Sequence, residues 1–250
     1  MGWTSCPPNK RSPCSAVRFD LYLESGPQHR KTWVSVPSLA GCCTVGPTTE
    51  KAIENARTAI RERVAFLGRY GETVPDPEPI ELTVAEHVIE RSLLGYGQHT
   101  FATDLEPLSP DEATRLLRWA AWSRDELVAA AVVQKVPLTV KPATGGRSAA
   151  AILSHVAGAE WAYVSSTLGT LAGGGAVVAA IESASDDPWA ALAAEREALM
   201  ERLSGMTPEE LARVADRGGG RPPRTARRML RRLLEHEWEH TLELRARLAL

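Results

Sequence analysis

Nothing in this chain of 250 residues commits it to a membrane, an export route or a polyanion. No window reaches the roughly 18 apolar residues of a membrane span, so no membrane partner is expected. The opening MGWTSCPPNKRSPCS has prolines where a signal peptide needs an apolar core, which makes the cytoplasm the expected location. A formal net charge of -2 exerts no global pull on nucleic acid, so any preference for anions must come from a local patch. Cysteine is scarce: Cys6, Cys14, Cys42 and Cys43 include no pair at the two-residue spacing of a zinc knuckle, and reduced thiols are expected. There is no repeat of solenoid length and no low-complexity tract beyond the proline-rich start.

What is present is ordinary globular composition, 44% hydrophobic and 24% charged, in a chain long enough for two cores. Arg18 to Glu24 alternates, with Phe19, Leu21 and Leu23 on one face, the period of a half-buried strand. Val34 and Val36 share a face of a second strand after the polar turn SGPQHRK. Ile53, Ala56, Ile60, Val64 and Leu67 recur at steps of three and four, which predicts an amphipathic helix from Thr48, its N-cap, to Leu67. The prolines of GETVPDPEP stop it, and IELTV supplies a further strand. The open strand edges of such a small domain make self-association, a homo-oligomer, one expectation.

Between Glu86 and Leu108 the character changes to alanine, leucine and arginine, and four helical segments follow. SPDEATRLLRWAAWSRDELVAAA opens with serine, proline and two acids, a strong helix start, with Leu116, Leu117, Ala120 and Leu127 facing inward. RSAAAILSHVAGAEWAYVSSTL is the second, DPWAALAAEREALMERLSGM the third, and the fourth runs from Thr225 after the breaker GGGRPP. TLAGGGAVVAA reads equally as a loop or a short helical turn. The expected fold class is α+β: a small sheet-plus-helix domain over residues 16–84, then an all-α four-helix bundle over residues 108–250.

The chemistry-bearing residues lie in the bundle. On the fourth helix Met229, Leu233, His236, His240 and Leu244 fall in one stripe, so both imidazoles point where the leucines point. Residues four apart place their Cβ atoms about 5 to 6 Å from each other, a spacing from which two imidazoles converge on one ion. Two hydrogen-bonded core histidines are the plainer account of the pair. On the second helix Ile152, Val156, Ala159 and Tyr163 define an apolar face with His155 at its margin, and a third imidazole shifts the balance toward metal. Three protein ligands leave a position open for water or substrate. His29, His87 and His99 read as turn or connector residues.

HEWEH, His236 to His240, also fits the H-E-x-x-H pattern of zinc peptidases. Those enzymes draw a third ligand from downstream, and Glu243 and Ala246 stand where the extended motif needs glycine and histidine. Glu237 is rotated about 100° from His236 and is first read as a solvated charge. The arginines from Arg213 through Arg217, Arg221, Arg224, Arg227, Arg228, Arg231 and Arg232 can bind phosphate or carboxylate. Arginine outnumbers lysine throughout, so the plainer account is codon bias on a solvated face. No aromatic residues interleave with the run, which argues against nucleic acid as a partner. Cys42 and Cys43, at a strand end, are read as packing residues.

SAAAILSHVAGAEWAYV with MLRRLLEHEWEHTLELR resembles the DinB-like family of metal-binding four-helix bundles, over residues 108–250. The resemblance implies His155, His236 and His240 as ligands of a divalent transition metal, usually zinc or nickel. It further implies kinship with thiol-dependent transferases and isomerases such as the mycothiol-dependent maleylpyruvate isomerases, hence a low-molecular-weight thiol or an anionic small molecule as partner. VSVPSLAGCCTVGPTTEKAIENARTAI, with VPDPEPI after it, is similar to the HicB-like antitoxin domain over residues 16–84, which implies a toxin-like protein partner. Lys51 stands where an acidic residue often completes that family's capping box, and a bundle replaces the DNA-binding module many antitoxins carry. Two functions therefore compete: an enzyme that uses the open metal position, and an interaction module whose metal only braces the bundle.

Overall fold

The computed structural model describes residues 16–26, 31–74, 76–89, 99–143, 145–183, 187–219 and 221–249; Cys6, Cys14 and His29 lie outside them. The chain divides into two compact units, Met1–Phe101 and Ala102–Leu250.

In the first unit the strands are β1 (Val17–Ser25), β2 (Thr32–Ser35), β3 (Cys43–Gly46) and β4 (Ile80–Ile89), with helix α1 (Thr49–Arg69) between the last two. They form one sheet in the order β3-β2-β1-β4. β1 and β2 are antiparallel, with Leu23 opposite Val34, whereas β1 and β4 are parallel, with Val17 opposite Ile80. The alternation of β1 fixes which face is covered: Phe19, Leu21 and Leu23 are buried while Arg18 and Asp20 are exposed. α1 packs against β2 and β3, burying Ala52, Ala56, Ile60, Phe66 and Leu67. Ile53 and Val64 are only half-buried, and Arg63 takes a place in the buried stripe instead. Its guanidinium donates to the Ala40 carbonyl at 2.6 Å and lies over the Phe66 ring, so its charge is buried with partners. Gly46 lets α1 start this close to β3, because a Cβ there would meet the Ala52 nitrogen at 2.3 Å. Thr48 caps α1 by accepting from the Lys51 backbone N–H. His87 is a strand residue of β4 rather than a connector, with Nε2 2.7 Å from the Ser25 hydroxyl. Cys42 and Cys43 are buried and not joined in a disulfide, as packing residues would be.

The second unit contains α2 (Pro110–Val132), α3 (Ala149–Leu168), α4 (Gly174–Ser183), α5 (Pro188–Ser204), α6 (Pro208–Ala212) and α7 (Ala226–Ala246). The four long helices α2, α3, α5 and α7 make the bundle, and α4, formed within TLAGGGAVVAA and its continuation, packs on α3 and α5. Each long helix begins at a side chain that satisfies a free backbone donor: Ser109, Ser148, Asp187 and Thr225. The apolar interior joins Leu127 of α2, Ile152, Leu153 and Val156 of α3, Ile181 of α4, Leu192 of α5 and Leu244 of α7. Among the described residues no helix is long and apolar enough to cross a membrane.

Both units extend past the segments expected from the sequence. β4 continues to Ile89, and Phe101 is fully buried. Asp104, in a short 3-10 turn before α2, accepts a two-pronged pair from Arg231 of α7 at 2.8 and 2.7 Å, and its carbonyl accepts from the Thr225 hydroxyl.

Candidate metal centre

α3, capped at Ser148, carries His155, and α7, capped at Thr225, carries His236 and His240. All three imidazoles meet. His236 Nε2 lies 3.1 Å from His155 Nε2 and 3.2 Å from His240 Nε2, and the three potential ligand atoms are within 4.8 Å of one another. His236 and His240 are buried, whereas His155 is exposed and leaves the cluster open on its side.

With all three imidazoles neutral, the proton inventory of this cluster does not close by itself. Glu243 Oε2 lies 2.7 Å from His240 Nδ1. The hydrogen bond from His240, with Arg147 and Arg247 nearby, holds the Glu243 carboxyl down at about 2, against the effect of its burial. Glu243 is therefore a carboxylate that can only accept, and a neutral His240 that donates to it from Nδ1 turns a bare Nε2 lone pair toward His236. A proton on His236 Nε2 can serve one of its two neighbours but not both. Without that proton, His236 and His240 face each other lone pair to lone pair. His236 Nδ1 is buried and has no hydrogen-bond partner in either case. Burial first, and then the facing His240, Arg232 and His155, push His236 down to about 2, so protonating the ring does not relieve the conflict. Burial lowers His155 as well. A single cation that accepts three lone pairs fits this donor set: tetrahedral ligands at about 2.0 to 2.1 Å from zinc stand about 3.3 Å apart. His240 then has the carboxylate partner on its far nitrogen that metal-bound histidines usually keep.

Glu237 is not the solvated charge expected from its rotation. It is fully buried, with one oxygen 2.5 Å from Arg124 Nε and the other 2.7 Å from Arg196 Nη2. Arg124 of α2 also reaches Glu160 of α3 and Glu195 of α5, and Arg196 of α5 reaches Glu160, so four helices meet in one ionic core. Burial alone would lower the Arg124 guanidinium, but Glu160, Glu237 and Glu195 outweigh it and raise it. Burial raises the Glu160 carboxyl, and burial with Glu160 alongside pushes Glu195 up to about 8. Three carboxyls thus face two guanidiniums, and the Oε1 of Glu195 has no hydrogen-bond partner. With both oxygens engaged, Glu237 cannot serve as the general base of a peptidase.

The arginine run likewise departs from a solvated face. Arg228, Arg231 and Arg232 are buried, and Arg231 and Arg232 share Glu235 at 2.9 and 2.8 Å. Arg227 pairs with Glu112, and Arg213 donates to the Thr167 carbonyl. Arg217 and Arg221 remain exposed. Composition could not reveal this, because Asp104 and Glu112 come from distant parts of the chain. Two residues beside the histidines were not singled out as site residues. Glu243 was legible as the i+3 partner of His240. Tyr163, taken for part of an apolar face, holds its ring centroid 6.0 Å from that of His236.

The DinB superfamily matches residues 80–244, and the HicB_like antitoxin of bacterial toxin-antitoxin system matches residues 19–92. Over 51 residues the chain is 39% identical to the UPF0150 protein Ta0767 of Thermoplasma acidophilum, covering 20% of this chain and 74% of that protein. No solved structure matches the chain. The two matched regions overlap on β4, which pairs with β1 inside the first unit's sheet. A four-helix bundle with histidines converging from its second and last long helices, preceded by a HicB-like sheet, is thus accounted for: the chain belongs to the DinB superfamily and carries a HicB-like antitoxin domain at its N-terminal end.

Proposed function

We propose that His155, His236 and His240 hold one divalent transition ion, zinc or nickel, and that this cytoplasmic protein uses it in thiol transfer, isomerisation or hydrolysis of a small substrate. The observation that carries the reading is the convergence of three Nε2 atoms, two pairs of them 3.1 and 3.2 Å apart, with the His155 side open to solvent. When bound, such an ion supplies a Lewis-acid position that polarises a thiol, water or carbonyl. Three neutral ligands leave its charge largely uncompensated, which favours an anionic fourth partner such as thiolate. Glu243 fixes the tautomer of His240, and Tyr163 flanks His236. Glu237 stays in the ionic core. The test is cobalt-substituted protein titrated with a low-molecular-weight thiol: a thiolate-to-metal charge-transfer band is expected, lost in His236→Ala. A silent spectrum with cobalt retained removes thiol transfer and leaves hydrolysis or a structural ion.

The HicB-like match over residues 19–92 supports a second activity, binding of a small toxin-like protein by the first unit. Co-purification with a small double-stranded-RNA-binding-type toxin encoded by an adjacent gene is the result expected, and its absence counts against this activity alone.

A further inference from the structure

One guanidinium of the bundle reaches the histidines without being buried in an ion pair. Arg147 directly precedes the N-cap of α3 and follows Gly145 and Gly146, both at positive φ. Its Nη2 donates to Glu243 Oε2 at 3.2 Å, and the same oxygen lies 2.7 Å from His240 Nδ1. A single carboxylate oxygen thus stands between the guanidinium and a ring of the cluster. The charge of Arg147 acts on His155 and His236 as well. Glu243 is held without it, by His240 on one oxygen and by Arg247 Nη2, at 3.1 Å, on the other. The Arg147 side chain is 41% exposed, and an ion pair that open to water adds little to stability. Its remaining donors make no hydrogen bond among the described residues.

Two guanidiniums share one carboxylate here, so Arg147, Arg247 and Glu243 together carry excess positive charge before any ion enters. A divalent ion on three neutral imidazoles adds to that charge, and the two repel. Arg147 by itself therefore opposes the metal, and an anion lying between them reverses the sign. The approach for such an anion is open. His155 is exposed, and Ala151, Gly158 and Ala159, one turn to either side of it on α3, bear methyl side chains or none.

We propose that Arg147 determines ligand specificity at the three-histidine centre, holding a carboxylate of a small ligand whose second anionic donor takes the position the histidines leave open. A guanidinium suits this task, because it can grip a carboxylate through two parallel N–H bonds. With one donor on Glu243, Arg147 keeps others for the ligand. The inference rests on the metal-dependent function proposed above, and narrows its substrate or thiol cofactor to molecules with two anionic groups a few bonds apart.

Cobalt-substituted full-length protein titrated with succinate and, separately, with butyrate tests it. Both acids offer the ion one carboxylate, and only succinate has a second for Arg147. Read from the visible spectrum of the cobalt, succinate should bind about tenfold tighter than butyrate. In Arg147→Gln that advantage should shrink to the statistical benefit of two equivalent ends, with metal content by elemental mass spectrometry unchanged. Lys141→Gln, which removes an exposed charge from the same loop, should keep the full advantage. A preference for succinate that survives in Arg147→Gln, or that falls as far in Lys141→Gln, overturns the role of Arg147 and leaves the metal-dependent function standing. Equal affinities in the wild type, or a cobalt spectrum that answers neither acid, overturn it too. Wild-type protein that takes up no cobalt overturns the metal-dependent function itself, and the role of Arg147 with it.

Discussion

His240 Nδ1 and the Glu243 carboxylate lie 2.7 Å apart one helical turn along α7, and this contact determines which nitrogen of His240 faces the other two histidines. The carboxylate can only accept, so a neutral His240 turns a bare Nε2 toward His236. Glu243→Ala should therefore lower metal affinity about 10- to 100-fold while leaving all three imidazoles in place. His240→Ala should lose most of the metal, which wild-type protein should hold at about one ion per chain. Elemental mass spectrometry after dialysis against a graded chelator measures both.

The metal-free protein should be sensitive to acid and to base for separate reasons. His236, held at about 2 when folded against 6.5 ordinarily, takes its proton first in the unfolded chain, so stability falls as pH drops below about 6.5. Glu243, at about 2 against 4.5, adds stability above its ordinary value that is lost as pH falls toward 2. Glu195 works the other way: raised to about 8 from 4.5, its contribution is full below about 4.5 and is lost as pH rises from there through 8. Urea unfolding across pH should show both losses, and Glu195→Gln should remove only the one that develops toward pH 8. A loss toward pH 8 that persists in Glu195→Gln would assign it to another group.

Removing Glu237 would leave Arg124 and Arg196 buried without one of their carboxylates. Glu237→Ala should destabilise the bundle by about 3 to 5 kcal/mol in urea or thermal unfolding. A general-base role would instead predict a stable, metal-replete and inactive variant.

Fragments 1–101 and 102–250 should each unfold in a single cooperative transition. A shorter fragment, 108–250, lacks Asp104 and so removes the two-pronged pair it makes with Arg231, and it should be less stable than 102–250 by about 1.5 to 3 kcal/mol. Equal midpoints for the two fragments would show that the Arg231 pair is energetically silent.

The sequence revealed whatever depends on period. The alternation of β1, the N-cap at Thr48 and the stripe of His236 and His240 are local patterns, and each is present in the fold. It did not reveal which charges are buried, because the partners of a charge lie far along the chain. Arg124 and Glu237 touch across a sequence separation of 113, and Arg231 and Asp104 across one of 127. Glu237 and the arginines of α7 accordingly looked solvated. α4 escaped for another reason: its glycines disfavour helix locally, and its apolar contact with α3 and α5 outweighs that preference.

The parallel pairing of β1 with β4 also bears on how the first unit is made. β2 follows β1 directly and can pair with it by a short antiparallel return, but β4 emerges only after β2, β3 and α1. During synthesis one side of β1 therefore keeps its backbone donors and acceptors unsatisfied while most of the unit is already outside the ribosome. That edge is available to other chains for the whole interval. Shortening the gap by circular permutation, so that β4 directly precedes β1, should speed folding and reduce losses to aggregation without altering the finished sheet.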